Sequence, residues 1–157
     1  MFGTLSAAQI EQVLQTQMMG HLACHAQNRT YIVPISYAYD GQYIYVHTYE
    51  GLKIQMMREN PQICFQVDER RDMANWKSVV AWGSFEELTG EKERTYALEV
   101  LTNRRLPILS SMTTHLGVNW PFSEEDLMEI DGIVFRIALQ EKTGRFEQTV
   151  YAPHFDL

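Results

Sequence analysis

Two β-prone runs joined by Asp40-Gly41 restrict the possible folds of this chain more than any other segment does. The runs, residues 31–39 and 42–48, are rich in tyrosine, isoleucine and valine. Asp-Gly tolerates the positive φ angles of a two-residue type I′ turn. Such a turn places Pro34 opposite His47 and Ser36 opposite Tyr45. The sequence therefore predicts an antiparallel β-hairpin within a fold rich in strands.

The predicted hairpin has two chemically different faces, because side chains alternate along a strand. One face carries the residues expected of a core, namely Val33, Ile35, Tyr37, Ile44 and Val46. The other face carries Pro34, Ser36, Tyr45 and His47, which are less typical of a buried wall. We therefore expect this second face to border a ligand.

A short helix is predicted directly after the hairpin, from Gly51 to Asn60-Pro61. A helix N-terminus presents unpaired N–H groups and a partial positive charge, and Lys53 adds a full charge there. Lys53 is therefore the first candidate for a phosphate ligand, and an ordinary solvated lysine is the weaker alternative. Arg58 and Arg70 are expected to be surface residues, although either could add positive charge to the same site.

The remaining periodicities predict further strands and two longer helices. Capping-box spacing at Ser6 starts the first helix, and the second spans residues 91–104. Strand patterns occupy residues 20–25, 63–68, 76–88 and 133–139, with a last run at 146–151, and Gly83 marks a bulge or a close backbone approach. A polar loop is expected at 69–75, a turn at 142–145 and a short capped helical turn at Ser123. Antiparallel strands with helices between them predict a mainly β fold, a small closed or nearly closed barrel with helices outside.

Composition limits the classes of protein to which the chain can belong. One globular domain over residues 1–157 accommodates the 45% hydrophobic content. A net charge of −7 argues against nucleic-acid binding. Since neither a membrane-length apolar segment nor a signal peptide is found, we expect a cytoplasmic protein and no membrane partner. Cys24 and Cys64 are expected to be buried free thiols, with neither a disulfide nor a zinc site.

An ordered series of motifs resembles a known superfamily over about residues 20–147. The motifs are GHLAC, VPISYAYDG, IYVHT, EGLKI, NPQICFQVD, WKSVVAWGSFEEL and KTGR. In this order they resemble the flavin-binding split-barrel superfamily that includes pyridoxamine 5′-phosphate oxidases. The resemblance is strongest to the branch of nitroimidazole-resistance and flavin-nucleotide-binding proteins. It implies a six-stranded antiparallel split β-barrel with flanking helices, and a homodimer with FMN at the subunit interface.

The resemblance also implies a set of cofactor-binding residues. On the first strand, the residues that would border the isoalloxazine ring are Val33, Pro34, Ile35 and Ser36. On the next strand, the residues near the ring and ribityl chain would be Val46, His47 and Thr48. Lys53 would bind the phosphate, and Ser78 would reach across the dimer. Trp82 and Trp120 could line the pocket for the ring or the substrate, although packing in the core or at the dimer interface is the favoured interpretation of both.

His47 is the candidate catalytic residue, because an imidazole titrates near neutral pH and can supply a proton beside a flavin. A histidine in this strand is also implicated in function in the nitroimidazole-resistance branch that the chain resembles. The alternative is a half-buried histidine hydrogen-bonded to the backbone, and the sequence favours neither. The other four histidines show no metal-ligand spacing and are expected to be structural: His21, His25, His115 and His154.

The leading functional hypothesis is an FMN-dependent oxidoreductase acting on a small molecule such as a nitroaromatic compound, with NAD(P)H as electron donor. The vitamin B6 reaction is disfavoured, because Tyr31 stands where an arginine-rich signature is expected and the tail QTVYAPHFDL has neither arginine nor tryptophan. A flavin- or haem-binding carrier or sensor without turnover is the main alternative. An inactive barrel used for assembly is a third.

Overall fold

The computed structural model describes residues 1–104 and 130–149, which contain eight strands and three helices. The strands are β1 (Phe2–Thr4), β2 (Met19–Ala26), β3 (Arg29–Ser36), β4 (Ala38–Tyr39), β5 (Tyr43–Thr48), β6 (Gln62–Asp72), β7 (Asn75–Glu87) and β8 (Ile133–Glu147). The helices are α1 (Ala7–Thr16), α2 (Leu52–Glu59) and α3 (Glu91–Asn103). The capped turn predicted at Ser123 lies outside the described residues, as do Trp120, His115 and His154.

The eight strands form one antiparallel sheet in the order β3-β2-β6-β7-β8-β5-β4, and β1 pairs with β8. Only Tyr37 separates β3 from β4 in the chain, although these strands stand at opposite ends of this order. The two ends of the sheet therefore lie side by side, and the sheet is rolled into a barrel that is open between them. The predicted mainly β split-barrel fold is confirmed. The strand count exceeds six because of the short β1 and β4.

Two hydrophobic clusters stabilise the barrel. The inner core fills the barrel, with Leu14, Phe65 and Phe135 fully buried, and each large side chain of this kind contributes about 1.5–3 kcal/mol of transfer free energy. The outer core lies between α3 and the opposite face of β5 and β8, and it includes Tyr45 and Leu101. Among residues 1–104 and 130–149, α3 is thus the helix that covers the outside of the sheet.

The first helix begins as predicted. The Ser6 hydroxyl accepts a hydrogen bond from the Gln9 backbone N–H, and the Gln9 side chain accepts one from the Ser6 N–H, which completes the capping box. Val13 and Leu14 then enter the inner core. The helix is tied to the sheet by Tyr37, whose hydroxyl donates to the Leu14 carbonyl at 2.8 Å.

The predicted hairpin register is wrong. Residues 29–36 pair with β2 instead of β5, so Pro34 lies opposite His21, and β5 pairs with β8. Of the first run of the predicted hairpin, β4 is the part that pairs with β5, with Tyr39 opposite Ile44. The cause is the Asp40 side chain, which accepts hydrogen bonds from two backbone N–H groups and leaves Gly41, with φ of 93°, as the first central residue of the turn. This shifts the predicted register by two residues, so each side chain keeps its face.

The predicted turn at residues 142–145 is also wrong, because these residues run straight through β8 and pair with β7. Gly144 serves packing and not a turn. A Cβ atom there would lie 2.8 Å from Leu5 and 2.9 Å from Ile10, so the missing side chain admits the start of α1. The polar loop predicted at 69–75 is shorter than expected, since β6 continues to Asp72 and β7 starts at Asn75.

Gly83 shows the close backbone approach that was predicted. The register between β7 and β8 shifts beside it, and a Cβ atom on Gly83 would lie 2.3 Å from the Ala138 carbonyl oxygen. Because the neighbour is backbone in the central pair of strands, it cannot rotate away as a side chain could.

Replacement of Gly83 by alanine is therefore expected to destabilise the protein by about 1–3 kcal/mol, the usual cost of overpacking. Gly90→Ser is the control, because Gly90 is the N-cap of α3 and a serine there can cap the helix. Urea unfolding of both variants measures the free energies. An unchanged unfolding midpoint for Gly83→Ala would contradict the close approach.

Candidate functional site

The N-terminus of α2 is open and lacks a side-chain cap. Its N-cap residue, Gly51, has no side chain to accept a hydrogen bond from the first turn. A Cβ atom added to Gly51 would meet no heavy atom within 4 Å, so space is available in front of the helix. The first N–H groups and the positive end of the helix dipole therefore face a position that an anion can reach.

Lys53 lies in the first turn of this helix and is half-buried. No hydrogen bond or ion pair joins its ammonium group to any residue in the described part of the chain. Burial lowers the pKa of Lys53, and the nearby Cys24 thiol opposes that shift. A half-buried cation without a counter-ion gains from a bound anion, because the anion restores the interactions lost with water.

Neither Arg58 nor Arg70 is available as a second cation at the start of α2. Arg58 is held by carboxylates, with Nη1 2.6 Å from Glu50 and Nε 2.8 Å from Glu87. Its charge is therefore already neutralised. Arg70 is well exposed near the far end of β6, and its nearest carboxylate, Asp68, is 3.8 Å away. Lys53 is thus the cation that the helix start offers.

The strand β3 forms one edge of the sheet, and it contains the four residues predicted to border a flavin ring. Val33 and Ile35 point to the inner core, where Ile35 is buried, so they can offer a ligand only backbone groups or the edge of a side chain. Pro34 is exposed and Ser36 half-buried on the outer face. A proline is well tolerated at an edge, because no partner strand requires its missing N–H.

The three predicted residues of β5 differ in burial. Val46 belongs to the inner core, Thr48 is half-buried, and His47 is buried on the outer side. His47 Nε2 donates to the carbonyl of Asp131 at 2.6 Å, so the neutral ring carries its proton on Nε2. Its Nδ1 is buried and has no partner among the residues described. The structure therefore matches the backbone-bonded alternative for His47, and Nδ1 can accept a hydrogen bond.

The surroundings of His47 are positively charged. Burial lowers its pKa, the bond to Asp131 partly opposes this, and Arg94 and Arg104 lower it further. Arg94 binds the carbonyl oxygens of Ile130 and Gly132 on the same turn. The imidazole is consequently neutral at pH 7, because both the loss of solvent and the two guanidinium groups disfavour a further positive charge.

Arg104 is the site residue that sequence reasoning missed. It follows the last turn of α3, and its Nη1 donates to the Ser36 hydroxyl at 2.8 Å, while Nε donates to the Leu101 carbonyl. The structure thereby brings Ser36 and His47 into one group around Arg104. The sequence did contain a pattern that could have identified Arg104, since Ala97, Leu101 and Arg104 recur at helical spacing on the face that packs against the sheet.

Ser78 lies away from this group on the outer face of the sheet, in a cleft of about 390 Å³. Its hydroxyl accepts a hydrogen bond from the Gln66 side chain at 3.2 Å. The cleft is also lined by Trp76 and Asp68. Its mixture of one indole and several polar groups suits a planar ligand with polar edges.

An exposed apolar row crosses four strands on this outer face. Ile32, Ala23, Cys64 and Trp82 lie directly opposite one another in adjacent strands, so their side chains share one face. Ile32 is 61% exposed and Trp82 41% exposed. Trp82 therefore does not pack in the core of the described chain. An apolar surface of this kind favours contact with another protein surface.

Cys24 and Cys64 are free thiols, the first buried and the second half-buried. Within residues 1–104 and 130–149, no group of His, Cys, Asp or Glu side chains is arranged to hold a metal ion. No helix in the described ranges is long and apolar enough to cross a membrane.

Comparison with known proteins gives consistent matches over almost the whole chain. The family model described as pyridoxamine 5′-phosphate oxidase matches residues 6–146. An uncharacterised protein of Rhizobium meliloti (strain 1021) is 34% identical over 152 residues, which are 90% of this chain and 92% of that protein.

Two solved structures show the same fold. A FAD-binding protein from Mesorhizobium loti is 32% identical, with a TM-score of 0.72, and the match covers 94% of this chain and 99% of that one. A protein from Bacteroides thetaiotaomicron, named for 5-nitroimidazole antibiotic resistance, is 16% identical with a TM-score of 0.69, and the match covers 93% of this chain and 87% of that one. The second likeness concerns the fold alone.

The depressed pKa of His47 predicts a pH dependence of stability. The unfolded chain binds a proton more tightly at this residue than the folded chain does. The contribution of neutral His47 is therefore complete above its ordinary pKa of about 6.5 and is lost as the pH falls below that value. Urea unfolding between pH 7.5 and pH 5 should show a smaller loss of stability for His47→Gln, which can still donate to Asp131. Equal losses in both proteins would contradict the prediction.

Proposed function

The chain belongs to the pyridoxamine 5′-phosphate oxidase family, and from this membership and the site described above we propose that it binds a flavin and acts as an FMN-dependent oxidoreductase. The observation that carries the proposal is Lys53, a half-buried lysine at the uncapped start of α2 that has no counter-ion among the residues described. The phosphate of a flavin nucleotide would supply a negative charge next to this lysine. The FAD-binding relative from Mesorhizobium loti supports a flavin as the class of ligand.

The chemistry of the donor groups fits a flavin phosphate. A phosphate ester carries close to two negative charges at neutral pH, and it would meet the Lys53 ammonium and the first N–H groups of α2. The Gly51 backbone allows close approach, since no described heavy atom lies within 4 Å of the position that a Cβ atom on Gly51 would take. Arg58 is not required, because Glu50 and Glu87 already neutralise it.

The β3 edge and the end of β5 fit the rest of the cofactor. We assign Val33, Pro34, Ile35 and Ser36 as the border of the isoalloxazine ring, and Val46, His47 and Thr48 as the residues near the ring and ribityl chain. Backbone groups on a free sheet edge can bond the polar edge of the ring, while Pro34 offers an apolar contact. The polar groups next to the edge come from Ser36 and Arg104.

A second copy of the chain is proposed to complete the site. The exposed apolar row and the Ser78 cleft lie on the same outer face of the sheet, since Ser78 and Trp82 are four positions apart on β7 and side chains alternate along a strand. Pairing of two such faces buries Ile32 and Trp82 and places the Ser78 cleft of one copy toward the other. We therefore propose a homodimer with the flavin at the interface.

When bound, the flavin supplies the redox chemistry, accepting electrons from a donor such as NAD(P)H and passing them to a small acceptor such as a nitroaromatic compound. The residues of this chain hold the phosphate, border the ring and set the charge beside it. His47 is proposed as the catalytic residue, with Nδ1 accepting a hydrogen bond from the substrate, because Nε2 is committed to Asp131.

The alternative is a cofactor carrier or sensor without turnover. It is favoured by one observation, that neutral His47 has no proton on Nδ1 to donate. An absorption spectrum after addition of FMN, FAD or haem identifies the ligand, and anaerobic addition of NAD(P)H then separates the two functions. Bleaching of bound flavin, followed by reoxidation with a nitroaromatic compound, supports the oxidoreductase. A haem band, or flavin that never bleaches, supports the carrier.

Lys53→Met is expected to weaken FMN binding roughly 10- to 150-fold, because a hydrogen bond to a charged group contributes about 1.5–3 kcal/mol. Riboflavin, which lacks the phosphate, should bind both proteins equally. Lys92→Met is the control, since Lys92 is an exposed lysine of α3. Fluorescence titration gives the dissociation constants. Equal FMN affinities for the wild type and Lys53→Met would remove Lys53 from the phosphate site.

Ile32→Asp is expected to convert the dimer to a monomer and to weaken flavin binding at the same time, because a buried carboxylate at the interface is strongly disfavoured. Gln12→Asp places the same charge on the exposed side of α1, away from the apolar row and the Ser78 cleft, and should leave the dimer intact. Light scattering after size-exclusion chromatography gives the masses. A wild-type monomer, or a dimeric Ile32→Asp, would contradict the interface.

A further inference from the structure

A chain of three polar side chains lines the Ser78 cleft on the outer face of the sheet. Gln66 lies between the other two, because its side-chain nitrogen is 2.6 Å from an Asp68 carboxylate oxygen and 3.2 Å from the Ser78 hydroxyl. Asp68 and Ser78 lie directly opposite each other on β6 and β7. The chain is therefore built on paired strands, and its geometry does not depend on a loop.

The Asp68 carboxylate determines which way the Gln66 amide faces. A carboxylate only accepts hydrogen bonds, whereas an amide has donors on its nitrogen and an acceptor on its oxygen. The reversed amide would place its oxygen 2.6 Å from a carboxylate oxygen, and the two atoms would repel each other. The Gln66 nitrogen therefore faces Asp68, and the same nitrogen donates to Ser78.

The fixed amide in turn determines the direction of the Ser78 hydroxyl. Because Gln66 donates, the serine oxygen is the acceptor in the bond between them. A hydroxyl also carries one proton of its own, and in Ser78 this proton has no acceptor among the residues described. Ser78 consequently offers the cleft one hydrogen-bond donor.

Asp68 would compete for this donor if Gln66 were absent. It lies opposite Ser78, and a carboxylate accepts a hydrogen bond more strongly than a neutral ligand atom does. Gln66 occupies one oxygen of Asp68, and Arg70 lies 3.8 Å from the other. The Gln66 amide thus keeps the Ser78 proton available to a ligand.

We propose that Gln66 is a positioning residue, which directs the Ser78 hydroxyl to donate a hydrogen bond to the flavin ring held by the other copy of the chain. The proposal rests on the proposed function, which places this cleft at the dimer interface. An oxidised flavin ring has carbonyl oxygens and ring nitrogens that accept hydrogen bonds. Its flat shape suits a cleft lined by the Trp76 indole, whose N–H is bonded to Glu147 at 3.0 Å.

The first test is FMN affinity, measured by fluorescence titration. Ser78→Ala removes the donor and is expected to weaken binding about 2- to 13-fold, the range for one neutral hydrogen bond. Gln66→Met keeps the length of the side chain but lacks the amide, so the Ser78 hydroxyl turns to Asp68 and FMN affinity falls by a similar factor. Ser78→Thr keeps a hydroxyl and should restore binding close to that of the wild type.

The double variant separates positioning from packing. Since Gln66 acts through Ser78, adding Gln66→Met to Ser78→Ala should cause no further loss of FMN affinity. Gln15→Met is the matched control, because it makes the same substitution at an exposed glutamine of α1 and should leave the affinity unchanged. Equal losses from Gln66→Met with and without Ser78→Ala would overturn the positioning role, as would an equal loss in Gln15→Met.

Neutron diffraction from crystals grown in heavy water tests the proposal on the wild-type protein without flavin, whether or not the variants fold. The deuterium atoms of the Gln66 amide should point to Asp68 and Ser78, and that of the Ser78 hydroxyl should point into the cleft. A Ser78 deuterium directed at Gln66 or at Asp68 would overturn the proposal.

Failure of the proposed function has a different signature. A wild-type protein that binds no flavin in the titration would overturn the proposed function, and with it the flavin as the partner of Ser78. Where the wild type binds flavin, an unchanged affinity in Ser78→Ala would overturn the proposal for Ser78 and Gln66 alone.

Discussion

The closure of the sheet at Tyr37 is the constraint on which the rest of the structure depends. This single buried residue connects β3 and β4, which stand at opposite ends of the strand order. Its hydroxyl donates to Leu14, its N–H donates to Met18, and its ring packs edge-on against Phe65. Because the connection is too short for any other path, the sheet must roll up, and β3 remains an edge next to β5. The proposed cofactor site lies along that edge.

Local patterns predicted most elements because local interactions form them. The capping box at Ser6 starts α1, the glycine at position 51 precedes α2, and Gly83 marks a close approach between strands. The turn expected at residues 142–145 is absent because distant residues decide the conformation there. Gly144 has the sequence context of a turn, yet it is required by Leu5 and Ile10, which pack against it from the other end of the chain. The hairpin register changed because the Asp40 side chain bonds to its own turn, a choice that alternation of side chains cannot reveal.

The distinction between features set by neighbouring residues and features set by residues distant in sequence also applies to the candidate site. Lys53 could be predicted, since a lysine in the first turn of a helix is a local feature. The partners of His47 and Ser36 could not, because Asp131 and Arg104 are 84 and 68 positions away in sequence. These contacts change the chemistry, because Asp131 fixes the proton of neutral His47 on Nε2 and Arg104 adds a buried positive charge beside the β3 edge. Electrostatics at the site is thus a property of the tertiary fold.

The central claim is that a flavin phosphate occupies the start of α2 while the ring lies along β3. A crystal structure of the protein grown with FMN tests it most directly. The account predicts density for the phosphate in contact with the Lys53 ammonium and the first N–H groups of α2, and for the ring beside Pro34 and Ser36. Density for FMN at another position, or an empty α2 N-terminus at saturating FMN, would contradict it.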